Sequence, residues 1–207
     1  MGTDARLEER SEPRTVRLSA PLSPGDAASL RVGDEVWLDG TVWGVRDASL
    51  IRLFDDGARP DADLRGAVFL HTAPSVRREG ERYVPVSVGT TTSMRMDRFT
   101  QGCVGELGVA AIVGKGGLGP DSVQHLSEHG GVYLAITGGA ASPETLQIEE
   151  IEEVVWEDLM PECLWKFRVR DFGPLFVTID AHGRSTYQEV KDRAAAKLSE
   201  AYQRLGL

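Results

Sequence analysis

Hydrophobic and polar positions along this chain mark short strand-like runs interspersed with helical ones, and a helical period near its end. Residues 15–18 open an alternating strand. Ser23-Pro24-Gly25-Asp26 is a turn that opens a short helix running to Leu30. Residues 35–38 and 41–45 read as two strands, and Asp39-Gly40 between them is a hairpin dipeptide. Residues 47–54 predict a helix that stops at Asp55-Asp56-Gly57. Short strands follow at 67–71 and 83–88. Residues 109–113 are fully apolar and bounded by glycine, 121–129 have a helical pattern, and 132–136 form the next strand. That strand–helix–strand unit predicts a parallel pair with a right-handed crossover. Further strands are predicted at 148–156, 165–170 and 175–179. From 187 to 205, Val190, Ala194, Leu198, Ala201 and Leu205 mark one face of an amphipathic terminal helix. Mixed signals of this kind give an α/β class with several antiparallel strands.

Composition narrows the function classes. The chain has 207 residues, 41% of them hydrophobic, enough for one core without cross-links. No apolar run reaches the ~18 residues of a membrane-spanning helix. Residues 1–14 are polar, read as a mobile tail, and lack the apolar centre of a secretory signal, so a cytoplasmic location is expected. Acidic residues number 32 against 23 Lys and Arg, for a net charge of −9. That balance disfavours a nucleic-acid partner, which requires clustered basic side chains. Cys103 and Cys163 are the only two cysteines. Two isolated thiols cannot form an all-cysteine zinc site or supply an iron–sulfur cluster, and both read as buried structural residues.

Several constellations could carry chemistry. Gly114-Lys115-Gly116-Gly117-Leu118-Gly119 matches GxGxxG between a strand and a helix. The next strand ends in Thr137-Gly138-Gly139-Ala140, with no acid to hold a ribose, and Lys115 is not followed by Ser or Thr as in a P-loop. A dinucleotide site, a close backbone approach to an anion with Lys115 as a point charge, and a plain tight turn all remain open. Gly89 to Asp97, GTTTSMRMD, places hydroxyls and Arg95 after a strand, either as an anion-binding turn or as a helix cap. Arg46 stands where a strand runs into a helix, free for a ligand or paired with Asp47 or a distant acid. His71, His125, His129 and His182 form no convincing metal set. The acids between Glu149 and Asp158 read as a solvated strand face.

Taken together and in order, the segments LRVGDEVWLDGTVWGVRDAS, GTTTSMRMD, VGKGGLG, ITGGAA and VVWEDLMPECLWKFRVRDFGPLFVTIDAHG resemble the C-terminal domain, or separate β subunit, of class I iron–sulfur fumarases and L-tartrate dehydratases. The resemblance covers roughly residues 16–183. It implies a swivelling β/β/α three-layer domain with a mixed sheet over 15–183, followed by a C-terminal helix over 184–207. It also implies a hydro-lyase that reversibly dehydrates a small 2-hydroxy dicarboxylate of the fumarate/malate, tartrate or mesaconate type. The family's four-iron four-sulfur cluster is then expected on a partner α subunit, in a heterodimer or heterotetramer.

Carried over by motif, the arginine of the family's GRDxAH falls on Arg46. The first threonine of GPTTSxRM, the family's proposed base, falls on Thr91 and its arginine on Arg95. The lysine of GKG falls on Lys115. Fixed cations would hold both carboxylates of a substrate and stabilise charge built up when the proton α to one of them leaves. Thr91 would need a nearby cation to act as a base, and Arg95 is the candidate. Thr90 stands where the family has proline, and Val45, Ser49 and Leu50 also depart from its pattern. These departures bear on which dicarboxylate is used. The alternative is a non-catalytic anion-binding or assembly module that has kept the fold.

Overall fold

The computed structural model describes residues 12–206, so residues 1–11 of the polar tail lie outside the described residues. Arg14 already joins the domain, with its Nε 3.1 Å from the buried Asp34 carboxylate. Nine strands are described: β1 Thr15–Ala20, β2 Glu35–Val45, β3 Val68–His71, β4 Ser75–Glu79, β5 Arg82–Ser87, β6 Ala111–Gly114, β7 Val132–Ile136, β8 Ile148–Val155 and β9 Leu164–Ile179. The helices are α1 Pro24–Ser29, α2 Asp47–Phe54, α3 Pro120–His129, α4 Ala141–Leu146, α5 Thr186–Ala196 and α6 Leu198–Leu205. None of them is long and apolar enough to cross a membrane.

Seven strands form one mixed sheet in the order β1-β2-β3-β6-β7-β9-β8, and β9 also pairs with β2. That extra pairing closes β2, β3, β6, β7 and β9 into a ring. β2, β3, β6 and β7 run parallel in register, while β9 is antiparallel to both of its ring neighbours.

The period of two sends alternate residues to two cores. Val68, Leu70, Ala111, Val113, Val132 and Leu134 face Val36, Leu38, Phe167 and Leu175 inside the ring. Phe69, Ile112 and Tyr133 face outward onto Leu50, Leu53, Phe99 and Leu126 from the helical side. The two facing walls of the closed sheet and the helices outside it are thus the three layers of an α/β domain.

In the sheet, the main corrections to the sequence reading concern β2 and β9. Asp39-Gly40 is not a hairpin: β2 continues through it as one strand of 11 residues. The local event is a bulge, with register shifts against β9 on both sides of Leu38. Gly40 takes φ +98, and a Cβ there would overlap the Ala20 carbonyl of β1. A bulge needs the same left-handed glycine as a tight turn, so the dipeptide alone cannot separate the two. Likewise, the runs at 165–170 and 175–179 are one 16-residue strand, β9. It turns a corner at Asp171, which takes φ 47 while its amide donates to Asp39 Oδ1 at 2.8 Å.

The pattern gave β5 without its partner: β4 pairs with it in a two-stranded ribbon outside the main sheet. The terminal helix is two, because the chain breaks at Lys197, whose amide caps Ala194 and Ala195. The acid run on β8 pairs across to Lys166, Arg168 and Arg170 on β9.

Gly40→Ala should destabilise the domain by more than about 1 kcal/mol, because alanine meets both a forbidden φ and the Ala20 carbonyl. Gly25→Ala, in the first turn of α1 where a Cβ would meet the Ser23 hydroxyl at an ordinary 3.7 Å, should be neutral or stabilising by up to about 1 kcal/mol. Urea midpoints of the two variants check this, and similar midpoints would refute the bulge.

Candidate active site at the ends of the parallel strands

The registers Val45↔His71, Leu70↔Val113 and Gly114↔Ala135 bring β2, β3, β6 and β7 to a common edge. Each chain leaves that edge as a loop, and in open α/β sheets the edge at the carboxyl ends of the strands is where ligands bind. Arg46 follows β2, Lys115 follows β6, and Thr137-Gly138-Gly139 follows β7. The Thr90–Thr92 loop lies across the middle of the edge. Thr72 bridges to Thr90, Thr91 N–H donates to His71 O at 2.8 Å, Thr92 bridges to Lys115, and Ser93 N–H donates to Lys115 O at 2.9 Å.

Thr91, half-buried, precedes a 3-10 helix over Ser93–Phe99. That helix carries Arg95 outward, with its side chain 53% exposed, and Arg95 Nη2 reaches Asp47 Oδ2 at 3.1 Å. Asp47, the first residue of α2, also faces Arg46 Nε at 3.5 Å. The same nitrogen lies 3.3 Å from Glu162 Oε1. Glu162 Oε2 in turn accepts the Ala48 amide at 2.9 Å, fixing the start of α2. Arg46 is therefore held by both kinds of partner, its neighbour and a distant acid. Its buried Nε still lacks a well-formed hydrogen bond, as does Asp47 Oδ2. Buried polar atoms left in this state are uncommon and concentrate at functional sites.

Beneath the rim lies a neutral network. Ser93 Oγ lies 2.9 Å from both His71 Nδ1 and the Tyr133 hydroxyl that donates to it. A Cβ at Gly114 would overlap Ser93 Oγ, so glycine there lets the threonine loop sit on β6. Burial lowers the His71 pKa to about 4, against a smaller opposing pull from Asp47. His71 is therefore a neutral prop, and the positive charge of the site comes from Arg46, Arg95 and Lys115.

The glycine-rich turn is settled by what fills it. Asp97 Oδ1 accepts the Gly119 amide at 2.7 Å and the Ser122 hydroxyl at 2.6 Å, so a carboxylate already occupies the N-terminus of α3. A Cβ at Gly117 would lie 2.6 Å from the Tyr187 ring. The turn is packed against the domain, and no room is left there for a pyrophosphate.

Leu50, where the family has histidine, is fully buried between sheet and helices. Ser49 accepts the Arg46 amide at 2.9 Å and donates back to its carbonyl at 3.0 Å. Thr90 donates to His71 O at 3.2 Å. Both hydroxyls brace the loops that carry the site. Among the described residues, no group of three or more His, Cys, Asp or Glu could hold a metal ion. The thiols do not fit a cluster: Cys103 packs in the outer core and Cys163 in the inner one. Burial raises the pKa of both, that of Cys163 to about 11.

Sequence reasoning did not single out Glu162, Ser93, Tyr133 or the buried Glu144 on α4. The signal for Tyr133 was available, since it carries a hydroxyl within the otherwise apolar strand run 132–136.

Fold and edge define a closed, mixed-sheet α/β domain with a cationic rim at its parallel strand ends. The chain belongs to the family described as Fumarase C-terminus, whose profile matches residues 3–190. It is 41% identical over 175 residues to the L(+)-tartrate dehydratase subunit beta of Escherichia coli (strain K12), covering 84% of this chain and 87% of that one. It is 34% identical over 184 residues to a provisionally named subunit beta of the same enzyme from Methanocaldococcus jannaschii, covering 86% and 94%. It is also 36% identical over 192 residues to a provisionally named class I fumarate hydratase of Geobacillus stearothermophilus. That alignment spans 92% of this chain but 37% of that longer protein.

The neutral state of His71 has a pH consequence. Its folded pKa of about 4 lies below the ordinary 6.5, so the unfolded chain binds the extra proton between those values. Stability from this source is complete above pH 6.5 and is lost as pH falls towards 4, by up to roughly 3 kcal/mol. Denaturation of the parent and of His71→Gln between pH 7 and 4 should show a shallower decline in the variant. Equal slopes would mean that His71 is not held neutral.

Proposed function

We propose that this chain is the β subunit of a hydro-lyase of the tartrate dehydratase and class I fumarase type, acting on a small 2-hydroxy dicarboxylate. The observation that carries this reading is that Arg46, Thr91, Arg95 and Lys115 stand along one edge: Arg46 and Lys115 on loops after the parallel strands β2 and β6, and Thr91 and Arg95 on the threonine loop and 3-10 helix laid across it. A dianion with carboxylates at both ends needs cations on separate supports, and these loops provide them.

Arg95, exposed and tethered by Asp47, is assigned one carboxylate of the substrate, and Lys115 the other. Arg46 is steadied by Asp47 and Glu162 and adds fixed positive charge where the substrate's charge grows as the α-proton leaves. Thr91, after giving its own proton to solvent with Arg95 as the cation that favours the alkoxide, is assigned to receive the substrate's proton on Oγ1, its loop held from below by His71 O and Lys115 O. The four-iron four-sulfur cluster expected for the family is assigned to a partner α subunit, because the thiols of this chain do not fit it. The working enzyme is then a heterodimer or heterotetramer with the substrate between its subunits.

The complex with the partner subunit, assayed on L-tartrate, malate and fumarate, tests the reading. Thr91→Ala and Arg95→Ala should each lower kcat/KM by about 100-fold or more. Lys115→Ala should act chiefly through KM. Arg98→Ala is the control. Arg98 lies on the same 3-10 helix but turns away to pair with Asp55, with Nη2 2.6 Å from Oδ2, and its loss should change kcat/KM by less than about three-fold. Equal, small effects across all four variants would refute the site.

A further inference from the structure

Glu144 stands behind this edge and has no role in the reaction as described. It lies in the first turn of α4 and is 3% exposed. Neither of its carboxylate oxygens has a well-formed hydrogen bond. An enclosed carboxylate with no well-formed hydrogen bond is costly, and proteins seldom retain one without a use for it.

Its surroundings tie it to the site. Thr145, the next residue, accepts the Val88 amide at 2.8 Å, and a Cβ at Gly89 would lie 3.0 Å from Ala141. The helix is thus fastened to the base of the threonine loop. The Lys115 side chain crosses the loop that precedes α4, where a Cβ at Gly138 would lie 3.3 Å from its Cδ.

Other charged groups stand on the elements around α4. Arg82 on β5 is exposed. Glu149 on β8 pairs with Arg170, and Asp171 at the β9 corner pairs with Arg17, while Glu150 faces solvent. Among the described residues, the Thr90 amide and the Lys115 charge draw the Glu144 pKa down against the effect of burial. No carboxylate forms an ion pair with Lys115 among the described residues.

We propose that Glu144 is a positioning residue for Lys115: its carboxylate is the counter-charge that steadies the ammonium in the empty site. When a substrate carboxylate takes the ammonium, Glu144 releases it and accepts a proton from solvent. This inference rests on the hydro-lyase reading, because it needs Lys115 to meet substrate.

The sign follows from the groups present. Burial raises the Glu144 pKa to about 7, and Lys115 and the Thr90 amide hold it from going higher. Neutralising Lys115 with substrate removes part of that restraint, so the bound state holds its proton more tightly. Substrate then binds best to the protonated form, and binding weakens as pH rises.

Two measurements decide it. In the reconstituted complex, the KM for L-tartrate should rise about five-fold between pH 6 and 8 if binding raises the Glu144 pKa by one unit. In Glu144→Gln, the neutral isostere, KM should stay low and flat over that range with kcat largely kept. The same pH slope in parent and variant would overturn the proposal. A pH-independent loss of kcat in the variant would also overturn it, by showing a merely structural role.

The second measurement needs no activity. In the free chain labelled at glutamate Cδ, one carboxyl carbon should titrate near pH 7 and move upward in Lys115→Met. No movement would overturn the proposal even if the complex is active. If the complex converts no dicarboxylate, the hydro-lyase reading fails, and the carboxyl titration alone then decides whether Glu144 and Lys115 are coupled.

Discussion

The pairing of β9 with both β2 and β7 is the constraint from which the rest of the domain follows. A parallel set of β2, β3, β6 and β7 would otherwise end in two open edges. With β9 antiparallel to both ends, the sheet closes and encloses an inner core of Trp165, Phe167, Phe172 and Leu175. Its outer face is left to the helices. Closure also fixes the register of the four parallel strands, so their carboxyl ends meet along one rim. The corner at Asp171 and the bulge at Gly40 let long strands bend enough for this. They lie on paired strands, and Arg17 on the neighbouring β1 reaches across to Asp171.

The rim concentrates charge in a protein whose overall balance is acidic. Three cations stand there with Asp47 and Glu162 between them, above a neutral layer of His71, Ser93 and Tyr133. The order matters physically. A protonated His71 beneath the threonine loop would add a buried charge without a partner. Held neutral, it supports the loop and leaves the field to side chains that can reach an anion. The acids beside Arg46 and Arg95 hold those side chains in place, so less rotamer freedom is lost on binding.

Much of this was legible in the sequence, for identifiable reasons. Short continuous apolar runs, as strands buried on both faces require, marked β3, β6 and β7, and glycine and proline marked most boundaries. Asp39-Gly40 misled because a bulge and a hairpin require the same backbone conformation at glycine. β4 was missed because its exposed Arg77, Arg78 and Glu79 carry no burial signal. Arg46, Arg95, Lys115 and Thr91 could be placed at strand ends from their positions, and their grouping came from the order of the motifs. Their support could not be read in the same way. Glu162 reaches Arg46 from far along the chain, and Glu144 looks like any surface acid until α4 packs against the base of the threonine loop. Such pairings are set by the closed sheet rather than by local pattern.

The central claim is that the strand-end rim is half of a dicarboxylate site. The most direct test is a crystal structure of this chain with its partner subunit and a bound dicarboxylate. The account requires the two carboxylates within hydrogen-bond distance of Arg95 and Lys115, and Thr91 Oγ1 facing the carbon that loses its proton. A dicarboxylate bound in the complex without touching Arg46, Thr91, Arg95 or Lys115 would contradict it.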